Sequence, residues 1–307
     1  MSIYVDQVSY KTSVRRAMIV SMKTKTQNTT RISTPSATTL VLGGNGKTGR
    51  RVVAGLKAQG RSVRIGSRSA SPSFDWHDSR NWGTVFDGIR EMYVAYHPDL
   101  AVPGASEHIR QLVAIAKERG VQKIVLLSGR GEEEAQLCER IVLHSGIPAT
   151  VVRCSWFNQN FTESFFRDMV LSGTLALPVN SVREPFVDAE DIAAVAVAAL
   201  TEDGHSGEIY EITGPRLLTF PEVAREITAG TGRPVRFEEI SMETFVAGLQ
   251  AAGLPGDMIK LIHYLTSEVL DGRNESLGDG VQRALGRAPR DFSDFVANAH
   301  ASRAWEA

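Results

Sequence analysis

The sequence predicts an α/β protein built on a doubly wound parallel sheet. Three observations carry this. Short apolar runs alternate with helical stretches from Thr38 onward, a glycine-spaced turn joins the first run to the first helix, and 307 residues at 42% hydrophobic and 22% charged suffice to bury a full core. Parallel strands need a crossover, and a helical crossover covers the sheet on both faces.

The expected elements follow in order. A strand at Thr39–Leu42 leads into a helix over Arg50–Gln59 that ends at Gly60, and a second strand covers Ser62–Ile65. Glu91–Ala95 and Lys123–Leu127 read as strands flanking a helix with an apolar face of Ile109, Leu112, Val113 and Ala116, which stops at Gly120. Thr150–Arg153 and Glu208–Ile212 complete the strand set. Between them, Asp188-Ala-Glu-Asp191 starts a helix over Ile192–Leu200 that is almost entirely Ala, Val, Ile and Leu, so it is buried on most sides. Thr219-Phe-Pro-Glu222 is a capping box before another helix. From about Asn158 the pattern turns helical. We therefore expect a Rossmann-type domain over 38–157 and a smaller, mostly helical substrate lobe over 158–307, with about 182–214 returning to the main sheet.

The glycines at Gly43, Gly46 and Gly49 are spaced G-x-x-G-x-x-G between a strand and a helix. Such a turn lets the backbone approach a dinucleotide pyrophosphate, and free helix N–H groups favour its oxygens. An ordinary glycine-rich turn is the alternative, and the flanking strand and helix select against it. Gly43, Asn45, Gly46, Lys47, Thr48 and Gly49 become candidate cofactor contacts. Where an acidic residue would bind the ribose of NAD, this chain has Ser67 and Arg68, with Arg64 nearby. A hydroxyl and a guanidinium fork suit a 2′-phosphate, so the expected cofactor is NADP(H). Strand alternation could turn Arg64 away.

Composition narrows the function. A net charge of −1 gives no reason to expect a nucleic-acid partner, and no apolar run approaches membrane-spanning length. Cys138 and Cys154 show no C-x-x-C or metal-ligand spacing, and the histidines are scattered. This fits a cytoplasmic protein without a metal site. Residues 1–37 carry Lys11, Arg15, Arg16, Lys23, Lys25 and Arg31 against one Asp and are rich in Ser and Thr. We read them as an N-terminal extension without fixed structure; a transit segment, or a true start at Met18 or Met22, are the alternatives.

Several segments carry a family resemblance. Gly43-Gly-Asn-Gly-Lys-Thr-Gly49, Glu184-Pro-Phe-Val-Asp188 and Glu208-Ile-Tyr-Glu-Ile-Thr-Gly214 resemble the NmrA-like branch of atypical short-chain dehydrogenases/reductases. Phe74-Asp-Trp76, Pro98-Asp-Leu-Ala-Val-Pro-Gly104, Leu127-Ser-Gly-Arg-Gly-Glu132, Ser155-Trp-Phe-Asn-Gln-Asn-Phe161, Thr213-Gly-Pro-Arg-Leu-Leu-Thr219 and Leu270-Asp-Gly-Arg-Asn274 are similar to the clavine-forming reductases of ergot alkaloid biosynthesis and their bacterial relatives. The resemblance runs from about Thr38 to the C-terminus. It implies NADPH-dependent reduction of a cyclic iminium C=N bond. It also implies places for loops: Phe74, Asp75 and Trp76 after a third strand near the adenine, and Tyr96, His97 and Pro98 after a fourth beside the nicotinamide ribose. Ser128, Gly129 and Arg130 would follow a fifth, beneath the nicotinamide, and Ser155, Trp156 and Phe157 a sixth, on the substrate side.

Typical members of the wider superfamily use Tyr-x-x-x-Lys, in which the lysine lowers the tyrosine pKa. Four residues after Tyr4, Tyr10, Tyr93, Tyr96, Tyr210 and Tyr264 come Val, Val, His, Leu, Gly and Glu, so the pair is absent. Reducing a ketone needs a positioned acid, and none is evident. An iminium ion already carries the charge that hydride neutralises and needs no proton in that step. Ring faces and carboxylates would hold such a cation. Trp156, Phe157, Phe161, Phe186 and Tyr96 are candidate walls, with Glu132 or Glu133 as carboxylates. Core packing is the alternative for each ring, and an acidic first helical turn for the glutamates. Ser128, Tyr96 and Trp156 are the catalytic candidates, and His97 could act as acid or base or be solvated. The expected function is an NADPH-dependent reductase of a small activated acceptor. A redox sensor that binds NADP(H) and a protein partner, or a quinone or azo reductase, are the alternatives.

Overall fold

The computed structural model describes residues 38–179 and 181–306. The expectations for residues 1–37 lie outside this range. The elements are β1 (Thr38–Leu42), α1 (Lys47–Ala58), β2 (Ser62–Gly66), α2 (Trp82–Phe86), β3 (Ile89–Val94), α3 (Ala105–Glu118), β4 (Lys123–Gly129), α4 (Glu133–Leu143) and β5 (Ala149–Cys154). Then come α5 (Asn160–Glu163), α6 (Phe165–Ser172), β6 (Thr174–Leu177), β7 (Arg183–Glu184), α7 (Ala189–Thr201), β8 (Ile209–Ile212), β9 (Leu218–Thr219) and α8 (Phe220–Thr231). The chain closes with β10 (Arg236–Glu239), α9 (Met242–Ala251), α10 (Gly256–Tyr264), α11 (Gly280–Leu285) and α12 (Phe292–Ala301).

The main sheet is six-stranded in the order β2-β1-β3-β4-β5-β8. Every pairing in it is parallel, as the alternating pattern predicts. Alternation along the strands sends Leu40, Leu42, Met92 and Ile124 to one face, where they meet Ile109, Leu112, Cys138 and Val142 of α3 and α4. Val41, Tyr93, Val125 and Val152 face the other way, against Val52 and Leu56 of α1 and Ile192 and Ala196 of α7. Each fully buried aliphatic or aromatic chain contributes about 1.5–3 kcal/mol, more than an exposed ion pair, so these two faces hold the helices. A third core joins α5, α6, α8, α9, α10 and α12 around Phe161, Phe166, Phe186, Phe220 and Phe292. Smaller ribbons flank it: β6 pairs parallel with β10, and β7 antiparallel with β9.

Sequence and structure differ in places. The helix after the glycine turn begins at Lys47 rather than Arg50, because Arg50 N–H already donates to Gly46 O at 3.0 Å. No strand intervenes between β2 and β3 among the described residues, so the expected third strand is absent and Phe74–Trp76 sit in the loop after β2. The tyrosine, serine and tryptophan ends assigned to a fourth, fifth and sixth strand follow β3, β4 and β5 instead. The reason lies in residues 67–81, which are rich in Ser, Asp and Pro turn formers. Their aromatics pack as rings: Phe74 stacks on Trp82 at 5.0 Å, and Trp82 Nε1 donates to Asp75 O at 2.8 Å. The capping box at Thr219 and Glu222 forms as expected, and Asp188 caps α7. No described helix is long and apolar enough to cross a membrane.

Candidate cofactor and substrate site

In an open parallel sheet, ligands bind beyond the strand carboxyl ends where the strand order reverses. Here that point lies at β1, between β2 and β3. The glycine turn sits on it. Gly43 has φ +72° and Gly46 N–H closes back on Gly43 O at 2.8 Å. A Cβ on Gly49 would overlap the Gly43 carbonyl oxygen, so only glycine permits this crossing of turn and helix.

A cleft of about 540 Å³ opens over the turn. Its lining comes from residues 43 and 45–48, residues 66–69 after β2, residues 74–77, residues 95–98 after β3, and Leu127. Exposed Arg68 lies at this rim beside Ser67, whose hydroxyl is 3.2 Å from that of Ser69. Arg64 is turned away, donating to Val85 O at 2.6 Å and Asp87 O at 2.8 Å, as strand alternation allows. Asp75 accepts from His77 N–H at 3.0 Å. Trp76 forms a wall against Tyr96, ring centroids 4.5 Å apart. Two side chains of the turn point inward. Thr48 Oγ1 accepts from buried Tyr93 at 2.9 Å, and Lys47 Nζ donates to Asn160 Oδ1 at 3.0 Å. Burial lowers the Lys47 pKa to about 7, against an opposing pull from Glu163. These two residues therefore face the cleft less through their side-chain ends than the sequence suggests.

Tyr96, Pro98 and Leu127 also line a small neighbouring cavity of about 40 Å³, with Asp99, Ser128, Gly129 and Phe157. The Tyr96 hydroxyl lies 2.6 Å from His108 Nδ1, and burial pushes its pKa up to about 12. That is opposite to the shift an activated tyrosine needs. Burial lowers the His108 pKa. The Ser128 hydroxyl is buried without a hydrogen-bond partner. So are the Trp156 indole nitrogen, both polar atoms of the Asn158 amide and, apart from the Asp99 carboxyl, both carboxylate oxygens of Glu132. All four residues follow or end β4 and β5. Of the four, Ser128 lines the small cavity, where a ligand would supply the partner its hydroxyl lacks.

The remaining candidates are distributed unevenly. Phe157 lines the small cavity and pairs through its backbone with Val187. Trp156 is buried and stacks on Phe166 at 6.0 Å. Its backbone N–H donates to Glu184 at 3.2 Å, whose pKa burial raises to about 7. Phe161 and Phe186 line neither cavity; they pack edge-to-face at 5.6 Å inside the aromatic core with Phe220 and Phe292. Arg130 is buried and joins strand to C-terminal segment, donating to Ser155 Oγ at 3.1 Å and to Ser276 O at 3.1 Å. Glu133 and Glu134 form the acidic first turn of α4, whereas Glu132 is its buried N-cap. Sequence reasoning passed over Asp99 and Asn158. A carboxylate or amide after a strand end was the available signal, but burial and the lack of partners are tertiary facts. Among the described residues no group of three or more His, Cys, Asp or Glu is placed to hold a metal ion.

A glycine turn at the switch point of a doubly wound parallel sheet is the architecture of Rossmann-type dinucleotide-binding proteins. The model of the NmrA-like family matches residues 78–275, and the chain belongs to that family. Over 280 residues it is 30% identical to agroclavine dehydrogenase of Claviceps fusiformis, covering 85% of this chain and 96% of that protein. It is 28% identical over 284 residues to NAD(P)H azoreductase of Xenophilus azovorans, covering 86% and 98%. Among solved structures, Citrobacter sp. triphenylmethane reductase complexed with NADP(H) matches with a TM-score of 0.70 at 20% identity, covering 85% of this chain and 99% of that one. This last likeness concerns the fold.

Proposed function

We propose that this protein is an NADPH-dependent reductase that passes hydride to a small activated acceptor, with a cyclic iminium C=N first in line. One observation carries the reading. The cleft over the glycine turn shares Tyr96, Pro98 and Leu127 with a small cavity bordered by the orphaned Ser128 hydroxyl. A dinucleotide laid along the cleft would bring its nicotinamide end to that cavity. Relatives named as a clavine dehydrogenase and an azoreductase support reductase chemistry on an activated acceptor. The absence of Tyr-x-x-x-Lys suits an acceptor that needs no proton in the hydride step.

In this reading the turn residues Gly43, Asn45, Gly46, Lys47, Thr48 and Gly49 hold the pyrophosphate, and Ser67 and Arg68 the 2′-phosphate. Asp75 and Trp76 bound the adenosine, and Tyr96, Ser128 and Gly129 the nicotinamide half. Bound NADPH supplies the hydride; the chain orients it and excludes water. Phe157, which lines the small cavity, is the substrate-side ring, whereas Trp156 packs in the aromatic core. Free buried Cys138 and Cys154 support a cytoplasmic setting.

The test is NADPH oxidation by the purified protein with cyclic iminium ions, quinones, azo compounds and aldehydes, using 4-deuterated NADPH to trace the hydride. Label on the iminium carbon with aldehydes inert is expected. Tight NADPH binding without turnover of any acceptor would overturn the reading in favour of a sensor, which must then bind oxidised and reduced cofactor with different affinities.

A further inference from the structure

We propose that Asp99 and Glu132 form a proton-sharing acid pair that protonates neutral acceptors at this site, so that its substrates include azo and quinone-type double bonds as well as cations. This rests on the reductase reading above. Asp99, in the loop after β3, lines the cavity beside Ser128 and Gly129, and its carboxylate also accepts from Ala101 N–H at 2.9 Å. Glu132, the N-cap of α4, packs against Gly129 in the same cavity wall. It is fully buried, its carboxylate oxygens accept from no N–H or hydroxyl of the protein, and its side-chain hydrogen-bond partner is the Asp99 carboxyl. It lies so close beneath the cavity that a Cβ on Gly129 would overlap Glu132 Oε1. An ionised carboxylate buried without partners is costly, and a second one beside it more so.

Burial outweighs the Ala101 N–H and the Glu132 hydrogen bond, which both favour an ionised Asp99. Burial raises the pKa of both groups, and the charge of Asp99 raises that of Glu132 further. Glu139 of α4 adds more negative charge. The Cys154 thiol at the end of β5 and the Tyr264 hydroxyl of α10 face Glu132 as neutral groups whose own pKa values are raised. The guanidiniums at this edge are committed elsewhere: Arg130 to Ser155, Asn274 and Ser276 and to Glu211 at 3.2 Å, and Arg273 to Gly131 O at 3.1 Å and Asp271 at 2.8 Å. Two adjacent carboxyls of this kind titrate as a unit and hold one proton between them at neutral pH.

The chemistry balances. The electrophilic atom of an N=N or C=N bond, or of a quinone's conjugated system, takes hydride from C4 of the reduced nicotinamide, and the π pair moves through to the far heteroatom. That pair takes the proton from Asp99, whose O–H bond breaks to leave a carboxylate. The acceptor gains two electrons and two hydrogens, NADPH is oxidised to NADP⁺, and solvent returns the proton. Asp99 touches the acceptor; Glu132 is a positioning residue that keeps the proton on the pair. An N-methyl iminium ion bypasses the step.

The experiment compares a neutral azo dye with an N-methyl cyclic iminium ion. Wild-type turnover of the dye should show a solvent deuterium isotope effect and fall as pH rises through the pair's titration, and iminium turnover should show neither. Asp99→Asn should lower the ratio of dye to iminium kcat on the order of 100-fold, a usual share for a general acid. Glu132→Gln removes the neighbouring charge, lowers the Asp99 pKa and should move the falling limb about one pH unit or more toward acid. Infrared difference spectra should show a protonated carboxyl at neutral pH that Glu184→Gln retains, whatever the folding of the Asp99 and Glu132 variants. Turnover of the dye without isotope effect or pH limb, or without that carboxyl band, sinks the pair while leaving the reductase standing. No hydride transfer to either acceptor brings down the reductase reading and the pair together.

Discussion

Arg68 and Lys47 stand at the two ends of the same cleft, and each makes a claim testable at a single side chain. Arg68 is exposed beside Ser67 at the rim, where an NAD-preferring chain would have a carboxylate. Arg68→Ala should weaken NADPH binding by about 1–3 kcal/mol, the range for a hydrogen bond to a charged group, with NADH barely affected. Isothermal titration with both nucleotides decides it, and equal losses would count against the 2′-phosphate role. Lys47 is buried with a pKa lowered from 10.5 to about 7. Between those values the unfolded chain binds a proton that the folded one does not, so stability rises with pH across that window. Below the folded pKa the lysine is charged in both states, and the full penalty of burying it persists. Lys47→Met should flatten this rise by a few kcal/mol between about pH 7 and about pH 10, read from urea unfolding at both.

Among the elements, the glycine turn is the most constrained. Gly49 opens α1 directly against the Gly43 carbonyl, and Gly49→Ala forces turn and helix apart. A loss of about 1–3 kcal/mol in stability, the usual cost of overpacking, should accompany loss of nucleotide binding. Thermal unfolding together with nucleotide titration reads both, and full binding in Gly49→Ala would show that the turn tolerates the shift. The turn, α7 and the capped α8 were legible because spacing, caps and apolar periodicity are local signals. The loop after β2 was not. Its aromatics read as neither helix nor strand, and the resemblance supplied a strand where ring packing of Phe74, Trp76 and Trp82 prevails. Phe161 and Phe186 went the same way, because an apolar ring near a site and an apolar ring in a core look alike in sequence.

For the molecule as a whole, buried Arg130 ties the end of β4 to residues 274 and 276, which lie far along the chain. Removing one partner from a buried charged network leaves others unsatisfied. The carboxylate partner of Arg130, Glu211, is partly exposed, so Arg130→Ala should cost about 1–3 kcal/mol. Urea unfolding would show this as a lower midpoint, and a change below about 1 kcal/mol would mean that solvent replaces the guanidinium.

The amino-acid sequence by itself determined the parallel α/β architecture, the glycine turn and the cofactor class it suits, because strand alternation, helix caps and glycine spacing each act over a few residues. Tertiary structure decided which side chains meet. It turned Arg64 away from the cleft, set Lys47 on Asn160, sent Phe161 and Phe186 into the core, and brought Asp99 and Glu132 to Gly129 in one cavity wall. Those outcomes depend on loops from separate strands converging at one edge of the sheet. Burial and the presence or absence of a hydrogen-bond partner exist only once that convergence has occurred.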